Sequence, residues 1–377
     1  MTVYADLTEY LNNPVLSGIQ RVTAQLCRFW PDDDLRPVRL ATAGYLTEVD
    51  RGVIKAIAAS FECEDGSSMD VIQRARRMEE PPLRLKSSDV VLVPELFYDP
   101  ARVAYYRNLS AEEVKRYRFI VYDLTPIAYP QYFQVNMPMD EVCGYFQMVR
   151  RMPNCGFISK ATQRDFCKRL LRSPETTGVV LRLGSDGLGP KPQNPVPERP
   201  TTFTVLGRIE PSKNPGMVVE AFEPLLPRFP GLRITFLGKI GHIDAQLARK
   251  FECMSKDPSS GLRHIAEPKD KEIRQCFDES RASIFVSGAE GFGLPPVESL
   301  WRGTPAILSQ GIPSVENIGS TGVHIVDPLT VENLRMAVLA FLEDSYAQQK
   351  AREAASLELP TWQSFSDEVS SWCRSAV

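Results

Sequence analysis

At 377 residues the chain is long enough for two domains and would bury roughly 75% of its unfolded surface on folding. Its hydrophobic content of 43% is ordinary, and a net charge of −3 gives no reason to expect a nucleic-acid partner. No apolar run reaches membrane-spanning length and the start, Met1 to Asp6, reads as a strand instead of a signal peptide, so a cytoplasmic location is expected.

The eight cysteines contain no Cys-x-x-Cys pair, and His242, His264 and His324 complete a poor ligand set, which argues against a dedicated zinc site. Most of the thiols are expected to be reduced core residues.

Residues 2–6 read as a strand, followed by a polar loop over 9–17 and a helix that opens at Gly18-Ile19-Gln20-Arg21-Val22 and runs through Trp30. A glycine at a strand-to-helix turn lets the main chain approach a phosphate or an acceptor. Arg21, in the first helical turn, faces either a cleft or solvent. Further strands are expected over 36–42, 90–96 and 119–124, each apolar or alternating and bounded by turn residues. Between them Arg74, Arg76, Arg77, Arg84 and Lys86 have few acidic neighbours, forming either a solvated helix face or a surface for anionic lipid or a lipid-diphosphate acceptor.

The strand Phe119-Ile120-Val121-Tyr122 ends in Asp123-Leu124-Thr125-Pro126, at the edge where open α/β sheets bind ligands. Asp123 either accepts a hydrogen bond from an acceptor hydroxyl or holds its own loop through Thr125. Helices are then expected over 145–151 and 160–172, around a strand at 155–159 whose Ser159 is a good N-cap. Arg150, Arg151, Lys160, Arg164, Lys168, Arg169 and Arg172 make this the most basic part of the chain, a solvent-facing surface or a site of peripheral membrane contact. Residues 178–184 read as a last strand, and the proline-rich stretch 189–200 as a semi-rigid linker.

After the linker the pattern starts again. A strand over 201–206 leads into Gly207-Arg208-Ile209-Glu210-Pro211-Ser212-Lys213-Asn214-Pro215 and a helix to Leu226. Arg208 and Lys213 lie on one strand-to-helix connection, so both can reach the same anion from a rigid base. A buried strand at 232–237 precedes Gly238-Lys239, and residues 265–269 are expected to pass a nucleobase. Then comes the most informative stretch, 282–308: a buried strand, the loop Gly288-Ala289-Glu290-Gly291-Phe292-Gly293, a helix begun by Leu294-Pro295-Pro296 and carrying Glu298, and a second buried strand. Its glycines let backbone N–H groups approach a ligand, and the helix start favours an anion. Carboxylates accept hydrogen bonds from hydroxyls, so Glu290 and Glu298 suit a sugar and a ribose, and together these features describe a nucleotide-sugar site. The tail places Leu359, Trp362, Phe365, Val369 and Trp372 at mostly helical spacing, an apolar stripe that must bury against the chain or a second copy.

Glu290, seven residues and Glu298, with Gly-Phe-Gly-Leu-Pro between and Gly303-Thr304-Pro305 after, resemble the donor motif of family 4 retaining glycosyltransferases of the GT-B fold. The resemblance implies an α/β chain of two Rossmann-like doubly wound domains facing a cleft: an acceptor domain over 1–188, a linker over 189–200, a donor domain over 201–355, and a C-terminal helix over 356–377 crossing back to the first domain. It implies that Glu290 lies beside the hydroxyls of the transferred sugar and Glu298 binds the ribose, while Arg208 and Lys213 hold the diphosphate. Gly18, Gly207, Gly238, Lys239, Gly291, Phe292, Gly293 and Leu294 complete the donor contacts, and Glu290, Arg208, Lys213 and Asp123 are the catalytic candidates. Tyr122 stands where the family commonly has His, and Ser17 where it often has a second glycine.

The expected reaction is transfer of a hexose from GDP-mannose or a UDP-sugar to a glycan or lipid-linked acceptor in bacterial polysaccharide assembly, with retention and with neither metal nor cofactor. The rivals are a sugar-nucleotide epimerase or phosphorylase on the same scaffold, and a glycan-binding protein without turnover.

Overall fold

A computed structural model describes residues 1–15, 17–61, 67–77, 81–132, 138–193 and 199–375. The chain divides into two compact units, Met1–Gly184 with Pro360–Val377, and Ser185–Leu359. The strands of the first are β1 (Val3–Asp6), β2 (Leu35–Leu40), β3 (Leu46–Glu48), β4 (Val90–Val93), β5 (Tyr117–Val121), β6 (Cys155–Phe157) and β7 (Val179–Val180). Those of the second are β8 (Thr202–Leu206), β9 (Arg233–Leu237), β10 (Leu262–Ile265), β11 (Ala282–Phe285), β12 (Ala306–Ser309) and β13 (Val323–Val326).

Among the described residues the first unit builds a seven-stranded sheet in the order β3-β2-β1-β4-β5-β6-β7, parallel except for the β2–β3 pair at one edge. Every residue of β4 and β5 is buried, as expected of central parallel strands covered by helices on both faces. Several details depart from the sequence reading. The stretch expected as a polar loop begins with a short helix, Thr8–Asn12, because Tyr10 and Leu11 have a core to enter. Of residues 178–184 only Val179 and Val180 pair as a strand. The helix expected over 160–172 is α-helical at Lys160–Asp165, widens into a π turn at Phe166–Leu171, and stops at Arg172 in the left-handed region, φ 54°.

The last helix, Trp362–Arg374, is part of this first unit. It buries Trp362, Phe365 and Val369, its Glu368 accepts from Arg182 Nε at 2.7 Å, and Gln363 Nε2 donates to the carbonyl of Phe29 at 3.2 Å. Leu359 packs instead within the second unit.

Among the described residues the second unit has six strands, all parallel, in the order β10-β9-β8-β11-β12-β13. The chain therefore reverses its direction of winding between β8 and β11, and the connections leaving those two strands diverge to open a crevice. The unit begins at Ser185, before the proline-rich stretch. Residues 189–191 are fastened to it, with Trp301 Nε1 donating to the carbonyl of Gly189 at 2.9 Å and Lys191 over the Trp301 ring, while 194–198 of the expected linker lie outside the described residues.

Candidate donor site at the switch point of the second unit

A cleft opens at the carboxyl ends of β8 and β11, lined by Gly207, Arg208, Ile209, Lys213, Phe285 and Ser287 among others. Its two walls are tied together through the main chain. Asn214, held in the left-handed region at φ 51°, donates from Nδ2 to the carbonyl of Val286 at 2.8 Å, and the N–H of Gly288 donates to the carbonyl of Ser212, also at 2.8 Å. Asn tolerates that backbone conformation better than most residues, so one side chain both turns the chain and joins the loops.

Lys213 emerges from this turn, its ammonium paired with the Glu290 carboxylate and 5.2 Å from the centre of the Phe285 ring. Both side chains are largely covered, at 22% and 14% exposure. Arg208 is 63% exposed, with Nε 3.5 Å from Glu210, so its guanidinium is loosely held and able to swing onto a ligand. The structure thus brings one expected cation and one expected carboxylate into contact, with the second cation on the same cleft. An anion entering there meets Lys213 already engaged.

The rest of the motif is shaped by packing. Gly293, at φ 90°, caps the helix Leu294–Trp301, and a Cβ there would come within 3.0 Å of Ile312. Glu298 is 3% exposed, on the face of that helix that also buries Val297. Gly291 is buried, and Phe292 packs against the cluster around Phe285 and Leu308. Gly238 meets the backbone: a Cβ there would sit 2.3 Å from the carbonyl oxygen of Gly207. Lys239 points away into an exposed pair with Glu267 at 2.8 Å, and neither residue lines the cleft.

Gly18 and Asp123 belong to the first unit. Gly18 is the first residue of its helix, capped by Ser17 accepting from Gln20 N–H at 3.3 Å. Asp123 accepts the N–H of Thr125 at 2.8 Å, so the loop-holding role is made. Tyr122 is buried and donates its hydroxyl to the carbonyl of Pro94 at 2.6 Å. Arg21 does not take the solvent-facing course; it is buried over the ring of Phe61.

At the corresponding edge of the first sheet, beyond β1 and β4, lies a cluster that the sequence reading missed. Arg102 Nη2 bridges Asp6 at 2.8 Å and Glu95 at 2.9 Å, all three fully buried. Glu95 also accepts the N–H groups of Glu9 and Tyr10, each at 2.8 Å, and so anchors the first turn of the Thr8–Asn12 helix. Burial pushes its carboxyl up to about 7 against the opposing pull of Arg102. The three residues lie 96 and 89 positions apart or within seven of one another, and no local pattern joins them. Among the described residues no group of three or more His, Cys, Asp or Glu is placed to hold a metal ion, and no helix is long and apolar enough to cross a membrane.

Residues 190–357 match the family of glycosyl transferases group 1. That is somewhat less than half of the chain, and it takes in the whole cleft. Two relatives agree with it: poly(glycerol-phosphate) alpha-glucosyltransferase of Bacillus subtilis (strain 168), 24% identical over 53% of this chain and 29% of its own, and O-antigen chain mannosyltransferase B of Escherichia coli, 27% identical over 37% of this chain and 36% of its own. The chain spans about a third of the length of these curated relatives. Among solved structures, Anabaena Alr3699/HepE in complex with UDP superposes over 100% of both chains with a TM-score of 0.67 at 12% identity. At that identity the likeness speaks for the fold: two Rossmann-like α/β units of the GT-B class, the class read from the sequence.

Proposed function

We propose that the chain is a retaining, metal-independent hexosyltransferase that moves a sugar from GDP-mannose or a UDP-sugar to a glycan or lipid-linked acceptor of a polysaccharide. The observation that carries this is the meeting of Lys213 with Glu290, beside Arg208, at the winding reversal of the second sheet. The family match over the same residues and the names of the relatives support it.

In this reading Arg208 and Lys213 face the diphosphate. As the bond from the anomeric carbon to the phosphate oxygen breaks, its electron pair goes to that oxygen and the two cations balance the growing charge. Interactions placed in advance toward such charge are typically worth roughly 2.7–4 kcal/mol of barrier. The acceptor oxygen attacks from the face the diphosphate leaves, and its proton passes to the departing phosphate oxygen. Glu290 accepts hydrogen bonds from the sugar's hydroxyls and orients the ring. Glu298 takes the ribose. Asp123 serves the acceptor and Gly18 the donor, and Tyr122 is committed to the main chain.

Incubating the chain with labelled UDP-glucose or GDP-mannose and glycan acceptors tests this. Release of the nucleoside diphosphate with a new glycoside of unchanged anomeric configuration is expected; an isomerised donor without glycoside overturns it. The exposed Lys160, Arg164, Lys168, Arg169 and Arg172 support a peripheral contact with anionic lipid, expected as salt-sensitive co-sedimentation with phosphatidylglycerol vesicles but not with phosphatidylcholine vesicles.

A further inference from the structure

The Gly291–Gly293 loop leads into a helix start that is poorer in donors than its form suggests. Its second and third residues are Pro295 and Pro296, neither of which has an N–H, and no side chain caps it. A phosphate seated there needs donors from elsewhere.

Ser287 is placed to supply one. It lines the cleft two residues after β11 and is 4% exposed, and its Oγ, shielded from bulk solvent, has no hydrogen-bond partner among the described residues. The main chain around it is held at three successive points. The Val286 carbonyl accepts from Asn214, the Ser287 carbonyl accepts from Ser309 Oγ at 2.7 Å, and the Gly288 N–H donates to Ser212. Two of those three ties run to the connection that carries Arg208 and Lys213. The position is therefore fixed while its hydroxyl is left unpaired, an arrangement that destabilises the free protein and favours a ligand that accepts from it.

We propose that Ser287 Oγ donates a hydrogen bond to a phosphate oxygen of the nucleoside diphosphate held by Lys213, and is a binding residue of this cleft. The inference rests on the donor site assigned above. Titration calorimetry of the wild-type chain and Ser287→Ala with UDP, GDP, pyrophosphate and the free nucleosides reads it. The variant should bind the diphosphates and pyrophosphate about tenfold or more weaker, bind any nucleoside unchanged, and melt without ligand at the wild-type temperature or above. Equal diphosphate binding by both proteins overturns the inference and leaves the donor site standing. A wild-type chain that binds no diphosphate overturns both. A variant that melts lower without ligand and loses nucleoside and diphosphate affinity alike marks Ser287 as a packing residue, which also overturns it.

Discussion

Lys213 is bound to Glu290 before any donor arrives, so the two groups assigned to opposite ends of the sugar–phosphate bond neutralise one another. An incoming diphosphate has to compete with the carboxylate for the ammonium. Glu290→Gln removes the competing charge and leaves the sugar's hydroxyls a neutral amide oxygen in place of a charged acceptor. The expected outcome is opposite movement of two quantities: a nucleoside diphosphate binds several-fold tighter by calorimetry, whereas kcat falls about 10–100-fold, as loss of a hydrogen bond of roughly 1.5–3 kcal/mol to a charged group implies. Parallel weakening of both would mean the pair holds the cleft open instead of guarding it. Glu95 makes a second prediction of this kind. Its folded carboxyl is raised to about 7 from the ordinary 4.5, so the folded state holds a proton that the unfolded state has released. That contribution to stability is fully present below about pH 4.5 and is lost as pH rises through 7, at up to about 1.4 kcal/mol per unit. Thermal melts of wild type and Glu95→Gln between pH 5 and 8.5 should show a difference that shifts in favour of the variant with rising pH; a constant difference would refute the assignment.

At the scale of elements, the ends of β8 and β9 approach so closely that Gly238 has room for no side chain. Gly238→Ala would place Cβ 2.3 Å from the Gly207 carbonyl in addition to straining a positive φ of 139°, whereas at Gly44, also at positive φ, nothing lies within 4 Å. Backbone strain alone is worth about 1–2 kcal/mol, so Gly44→Ala should lower the melting temperature modestly and Gly238→Ala by clearly more. Equal shifts would show that the two strand ends can move apart. The same strand ends explain what was legible beforehand. Continuous apolar runs such as Val90–Val93 and residues 284–286, and the Glu290 to Glu298 spacing with its glycines, are local, and they revealed most of both sheets and the glycine-rich loop. The Thr8–Asn12 helix and the Asp6–Arg102–Glu95 cluster depend on partners far along the chain, and no window of neighbours contains them, while β3, the hairpin partner of β2, is only three residues long, too short to show a period. Ser287 was missed for another reason: a serine after a buried strand is unremarkable until its hydroxyl is seen to lack a partner.

For the whole molecule, the chain's order and its spatial division disagree, because the first unit is completed only by residues 360–377. Trp362 is fully buried, its ring seated so closely on the backbone that a Cβ on Gly184 would come within 2.6 Å of it, and edge-on to Phe365 with ring centres 5.5 Å apart. The clusters that form the core of the second unit draw on no residue beyond Leu359. Truncating a buried tryptophan to alanine costs about 3–5 kcal/mol, a large share of the 5–15 kcal/mol typical of a folded domain. Trp362→Ala should therefore loosen the first unit alone, although the substitution lies 15 residues from the chain's end and directly after the second unit in sequence. Hydrogen exchange read by peptide gives the answer: amides of β4 and β5 are expected to exchange faster, those of β8, β11 and β12 at the wild-type rate, and a nucleoside diphosphate should still protect the cleft. Faster exchange in both sheets would show that the tail stabilises the chain as one cooperative body, and the division into separately stabilised units would have to be given up.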